Sequence, residues 1–165
     1  MNKDNGRIIL YGTLAVGSLF LGNKLLSTIL ESLGLKDSAE DKNLDDDIKK
    51  NYDASIDAFD PQYYIQAKAA GKRIVDIAPD IQNFVKKSIY SKCIGYVYDS
   101  PQVCLSAFKT NLKYKTQVSI VAHAFANAHG ESMLGYISNG LDRTAQKKVL
   151  NEILEYVKNL PSGIN

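Results

Sequence analysis

"KTQVSIVAHAFANAHG", residues Lys115 to Gly130, is the stretch whose reading decides the fold. Val118, Val121 and Phe125 recur at three- and four-residue steps, which line one face of a helix and would fall on both faces of a strand. Thr116 stands where an N-cap belongs, and Gly130 stands where a left-handed residue would end the helix.

The same punctuation extends in both directions. Upstream, "YDSPQVCLSAFK" opens with Ser100 as N-cap and Pro101 at the first helical position, and turns Val103, Ala107 and Phe108 inward. Pro79 opens a helix carrying Ile81, Phe84, Val85, Ile89 and Tyr90, and Asp60-Pro61 opens one running from Gln62 to Ile77. Downstream, a short helix over Glu131–Ser138 takes its cap from Glu131 and stops at Asn139-Gly140. Asp142 caps a last helix whose stripe is Val149, Ile153, Tyr156 and Val157, closed by Leu160-Pro161. No hairpin signal interrupts the series. The expected fold class is all-α, with a compact helical domain over residues 61–165.

That succession of caps resembles a single annexin-type helical repeat. The resemblance lies in "SPQVCLSAFKTNLKYKTQVSIVAHAFANAHGESMLGYISNGLDRTAQKKVLNEILEYV": a helix, a short basic connection, a Thr-led helix ending in aromatic-x-x-x-x-Gly, a short helix, then "GLD" opening the last. With the helix from Pro79 it covers about half the chain. The whole layout is similar to small virion-associated proteins of phages infecting Bacteroidetes, some with lipid in their particles. The resemblance implies a structural virion protein, with a lipid bilayer and capsid or other virion proteins as partners and homo-oligomers allowed. Annexins hold calcium through a Gly-x-Gly-Thr loop and a distant carboxylate. Here the matching loop, "CIGYVYDSPQ", has Gly95 and no second glycine, and Asp142 is the one distant carboxylate. Calcium asks for about six or more oxygens, so neither a calcium site nor any other cofactor is expected. Tyr96 and Tyr98 of that loop would meet an interface or cover the domain's own end.

Near the start of the chain stands a different kind of sequence, "IILYGTLAVGSLFLG", fifteen uncharged residues from Ile8 to Gly22. Spanning a bilayer takes about twenty apolar residues, and the pattern does continue, through Leu25, Leu26, Ile29, Leu30 and Leu33 at helical spacing. Lys24 lies between the two halves and can snorkel to headgroups. The anchor residues are Ile8, Ile9, Leu10, Leu14, Val16, Leu19, Phe20 and Leu21. Gly6, Gly12, Gly17 and Gly22 would each weaken a water-exposed helix by about 1 kcal/mol, yet small residues suit close packing of helices in lipid. Gly12, Thr13, Gly17, Ser18 and Gly22 form such a packing set. The residues after the run, Gly-Asn-Lys-Leu-Leu, make a poor signal-peptidase site, which favours a retained anchor over a cleaved signal. A helix buried in the protein or bound to a partner is the competing assignment. Lys3 and Arg7 favour an N-terminus on the cytoplasmic side.

Charge divides the chain into three parts. Residues 1–35 carry three basic and two acidic side chains, residues 36–60 four and nine, and residues 61–165 thirteen and seven. The middle part, "KDSAEDKNLDDDIKKNYDASIDAFD", has few large apolar groups and is expected to be a solvated acidic linker. Its Asp45-Asp46-Asp47 triplet lacks the glycine and terminal glutamate of a calcium-binding loop. The domains expected are therefore an anchor over 1–35, a linker over 36–60 and a helical head over 61–165. The net charge of +2 gives no reason to expect a specific nucleic-acid partner.

Chemistry-bearing residues are sparse. Cys93 and Cys104 fit two core thiols, or a single bridge in an oxidising compartment. His123 and His129, six apart, fall on different faces of a helix, and no carboxylate stands at a zinc-protease spacing. Ser119 and His123 lack an orienting acid, and Gly71-Lys72-Arg73 lacks the first glycine of a phosphate loop. Lys109, Lys113 and Lys115 in "KTNLKYK", interleaved with Tyr114, are candidates for phosphate or headgroup contacts. Glu131, in "HGES", is the one acid a cell-wall hydrolase could use.

The function expected is a non-enzymatic virion protein that tethers a helical domain to a membrane or the capsid interior through its N-terminal helix. It would be located in the membrane-associated virion and in the host membrane during assembly. The alternative is a soluble interaction module of capsid or tail assembly, with a peptidoglycan hydrolase a distant third.

Overall fold

Seven helices follow one another in a computed structural model that describes residues 39–93, 100–141 and 144–165, with side chains from Asn43 onward except Thr144 and Ala145. They are α1 (Ala39–Phe59), α2 (Tyr63–Ala69), α3 (Pro79–Lys92), α4 (Pro101–Asn111), α5 (Lys115–His129), α6 (Met133–Gly140) and α7 (Thr144–Lys158). Strands are absent among the described residues, where one isolated antiparallel bridge joins Ile74 to Ile164. The fold is all-α.

The quoted stretch is the centre of the bundle. α5 packs against α1, α2, α3 and α6, which is why Val118, Val121, Ala122 and Phe125 are all buried. Gly130 ends it at φ +75° with its amide donating to the Ala126 carbonyl. Thr116 is not its cap. The helix begins at Lys115, and the buried Thr116 hydroxyl donates to the Val75 carbonyl at 2.8 Å. The first amides of α5 are satisfied by the tail of the chain instead: Lys115 N–H donates to the Pro161 carbonyl and Thr116 N–H to that of Ser162.

The largest departure from expectation is the acidic stretch. Residues 36–60 were expected as an extended spacer, yet Ala39–Phe59 is the longest helix described and part of the core. Its apolar residues are few but in register: Leu44, Ile48, Tyr52, Ile56 and Phe59 share a face, with Ile48, Tyr52 and Phe59 buried, while Asp46, Asp47, Asp53 and Asp57 point to water. Asp45 is likewise no solvated carboxylate, being buried against α7 beside Lys147. One continuous cluster runs from Ile48 in α1 through Phe108 and Phe125 to Val157 in α7, so no boundary at residue 60 separates a linker from a head.

The helix expected over Gln62–Ile77 stops at Ala69. Gly71, at φ +72°, lets the chain turn back so that Gly71 N–H donates to the Lys68 carbonyl and Lys72 N–H to that of Ala67. Beyond it, Arg73 and Val75 pair in extended form with Asn165 and Gly163. The β-branched pair Ile74-Val75 suits that conformation.

α3 and α4 begin as expected, with Pro79 and Pro101 in their first turns; of the stripe expected on α7, Val149, Ile153 and Val157 are buried, Leu150 and Leu154 join them, and Tyr156 is half-buried. Ser100 precedes α4 without a side-chain capping bond. α6 begins at Met133, capped by Ser132, whose hydroxyl accepts from Gly135 N–H, and Glu131 is exposed outside it. Asp142 lies outside the described residues.

Cys93 and Cys104 are joined, with Cα atoms 5.6 Å apart, and both are fully buried. The bridge ties the end of α3 to the first turn of α4.

No described helix is long and apolar enough to cross a membrane. The anchor residues and small-residue packing set, Ile8 to Gly22, lie outside the described residues, as do Gly95, Tyr96 and Tyr98.

Candidate functional surface

The catalytic pairs weighed in the sequence are occupied with packing. Ser119 Oγ donates to the Asp60 carbonyl and accepts from Tyr64 N–H, which fastens α5 to the start of α2. His123 stands edge-on to Tyr64, ring centres 5.7 Å apart, and burial lowers its pKa below the usual imidazole value. Burial first, and then the nearby Asp76 carboxylate, raises the Tyr64 phenol. His129 lies flat on Tyr90 at 4.0 Å, and Tyr136 stacks on Tyr90 at 5.4 Å while donating to the Tyr90 carbonyl. Among the described residues no three His, Cys, Asp or Glu side chains converge on a point that could hold a metal.

The three candidate lysines of the α4–α5 connection do not converge. Lys109 pairs with Glu152 of α7 at 3.4 Å, Lys113 Nζ turns back to the Lys109 carbonyl, and Lys115 is half-buried at the start of α5. Tyr156 closes the same corner by donating to the Leu112 carbonyl.

What the structure brings to the surface is the outer side of α3. The expected apolar stripe of that helix splits in two: Val85 and Ile89 are fully buried with Cys93, whereas Ile81 is 38%, Phe84 58% and Tyr90 45% exposed. Those three and Val103 of α4, at 43% and not inward as expected, are the exposed large apolar residues among those described. Between them stand Lys86 and Lys87, with Lys92 one turn beyond, and none of the three forms an ion pair among the described residues. Asp80 is the one acid on the helix. The signal was present in the sequence. Apolar residues at 81, 84, 85, 89 and 90 span a wider arc than one packed face can cover.

α1 carries the opposite charge, with seven acidic and three basic side chains, and α1 and α3 each pack on α5.

Comparisons with protein-family models, with curated proteins and with solved structures find no match to this chain.

Proposed function

We propose that the chain is a non-enzymatic tethering protein in which the apolar residues Ile8–Leu33 enter a lipid bilayer and hold the helical head at its surface. One observation carries this reading: the fifteen residues Ile8–Gly22 are uncharged, and the apolar pattern continues at helical spacing to Leu33. Such a stretch has hydrocarbon as its natural solvent. The engagement of Ser119, His123 and His129 in packing supports a non-enzymatic role, and a place in a phage virion rests on the resemblance in layout. The folding of the acidic segment revises the expected geometry. Between Leu33 and Ala39 lie only five residues, Gly34 to Ser38, a reach of at most about 21 Å when extended. The head is held close.

Flotation on neutral phosphatidylcholine vesicles tests the anchor. The full chain is expected to float, and Leu14→Lys with Leu19→Lys to leave it at the bottom of the gradient, since a charged residue at mid-bilayer costs about 3 kcal/mol. Equal flotation of the two would reject the anchor. A chain that instead forms a stable complex in detergent-free buffer would favour the groove-bound interaction module.

A further inference from the structure

We propose that the outer face of α3 pairs with the same face of a second copy of this chain, the two helices running antiparallel about a two-fold axis. Such a pairing needs only the head, and it stands whether or not residues 8–33 enter a bilayer.

Phe84 is the most exposed large apolar side chain among those described, and Ile81 lies beside it three positions earlier. At 3.6 residues per turn, Ile81, Phe84, Ser88 and Ser91 fall on one stripe of α3, turned away from the buried Ile89 and Cys93. Asp80 and Lys87 are exposed and stand along the same edge of that stripe, one turn before Phe84 and one turn after it. Two turns apart on their own helix, they form no ion pair with each other or with any described residue. A two-fold contact is self-complementary: each residue meets its counterpart's partner, so opposite charges must sit at mirrored positions. This stripe has them. When α3 of a second copy crosses antiparallel, the same edges of the two stripes face each other, and Asp80 of each copy meets Lys87 of the other. Ile81 of each copy then packs on Phe84 of the other. Both pairings call for one register, with the axis passing close to Asn83. Parallel helices would set Asp80 against Asp80 and Lys87 against Lys87, and an anionic bilayer would meet the Asp80 carboxylate beside Phe84. Ser88 and Ser91 are small and put no bulk between the helices. A contact of about two turns from each copy is small for a protein interface, so the dimer is expected to form reversibly with concentration.

Sedimentation equilibrium of the full chain with its native disulfide, in a mild nonionic detergent at low salt, tests the pairing over about 1 μM to 1 mM protein. The wild type is expected to pass from one copy to two across that range. Asp80→Lys and Lys87→Asp should each weaken self-association by roughly tenfold, since two exposed ion pairs give way to two like-charge contacts. An equimolar mixture of those two variants should dimerise again, because the mixed pair sets lysine against aspartate at both corners. The double variant Asp80→Lys with Lys87→Asp should dimerise by itself, and Phe84→Asp should stay single throughout. All these positions are exposed, so circular dichroism of each variant is expected to match the wild type. A wild type that remains a single copy at the highest concentration overturns the proposal. Association that neither charge reversal weakens also overturns it and moves the contact elsewhere, residues 8–33 included. Reversals that weaken association without rescue in the mixture overturn the antiparallel register, and the proposal with it.

Discussion

Lys147 Nζ donates to Asp45 Oδ1 at 3.2 Å inside the α1–α7 contact, and both side chains are less than a tenth exposed. The two residues stand 102 positions apart and join the second turn of α1 to the first turn of α7, helices that run alongside each other. Asn51 continues the seam, donating to Asn151 Oδ1 at 2.9 Å and accepting from Lys158 Nζ at 2.8 Å. Paired charges in such a place add little net stability over apolar side chains, but a slip of α1 along α7 would strand them. They select one register.

Breaking that pair from one side therefore costs more than replacing it. Asp45→Ala is expected to destabilise the protein by about 2 kcal/mol, because the buried Lys147 ammonium loses one of its partners. Asp45→Leu combined with Lys147→Met should cost markedly less than Asp45→Ala alone. Urea unfolding followed by circular dichroism measures both, and equal losses would show that the pair is not desolvated in solution.

The same pair marks where sequence reading ran out. α3, α4, α5 and α7 were legible because their signals are local: Pro79 and Pro101 at helix starts, Gly130 at an end, and apolar stripes of ordinary density. α1 was hidden because its apolar residues are thin and its charge high, and what holds it is α7, a hundred positions away. α2 was overextended because Ile74, Val75 and Ile77 keep a helical spacing, although Gly71 and a pairing with the tail at Ile164 had already ended the helix. On the candidate surface, the sequence put Ile81, Phe84 and Tyr90 on one helix with Val85 and Ile89 but did not separate those that face outward from those that face the core. Which of two stripes on α3 is buried depends on the position of α4 and α5, and no local pattern carries that.

Gly163 should be the least replaceable glycine of the head. It sits at φ +74°, and a Cβ there would overlap Thr116 Oγ1 and approach Tyr114 Cβ to 2.8 Å. Gly130 has a similar φ with open space around it. Gly130→Ala is expected to cost about 1 kcal/mol from backbone strain alone. Gly163→Ala adds a steric term of about 2 kcal/mol and loosens the tail that caps α5. Thermal unfolding of the two variants compares them directly, and equal midpoint losses would mean the tail is not docked as described.

The Cys93–Cys104 bridge closes a loop with a sequence separation of 11. Removing that constraint from the unfolded chain should lower stability by about 3 kcal/mol on the loop-entropy account. Cys93→Ala with Cys104→Ala is the cleaner measurement, since both sulfurs are fully buried and reductant should reach them only when the domain opens. The double variant and the reduced wild type should unfold at the same urea concentration within experimental error. Rapid reduction of the native protein in the absence of denaturant would contradict the burial of the bridge.

Acidification should weaken the head through His123. Burial lowers its folded-state pKa below 6.5, so the folded protein binds this proton less readily than the unfolded chain does. The corresponding stability is fully present above pH 6.5 and is lost as pH falls from there through the folded-state pKa. His123→Phe keeps an aromatic ring against Tyr64 and removes the titration. Urea midpoints taken between pH 7.5 and pH 5 should therefore fall more steeply for the wild type than for His123→Phe. Parallel curves would mean that the imidazole is solvated in both states, and with it the α2–α5 contact it lines.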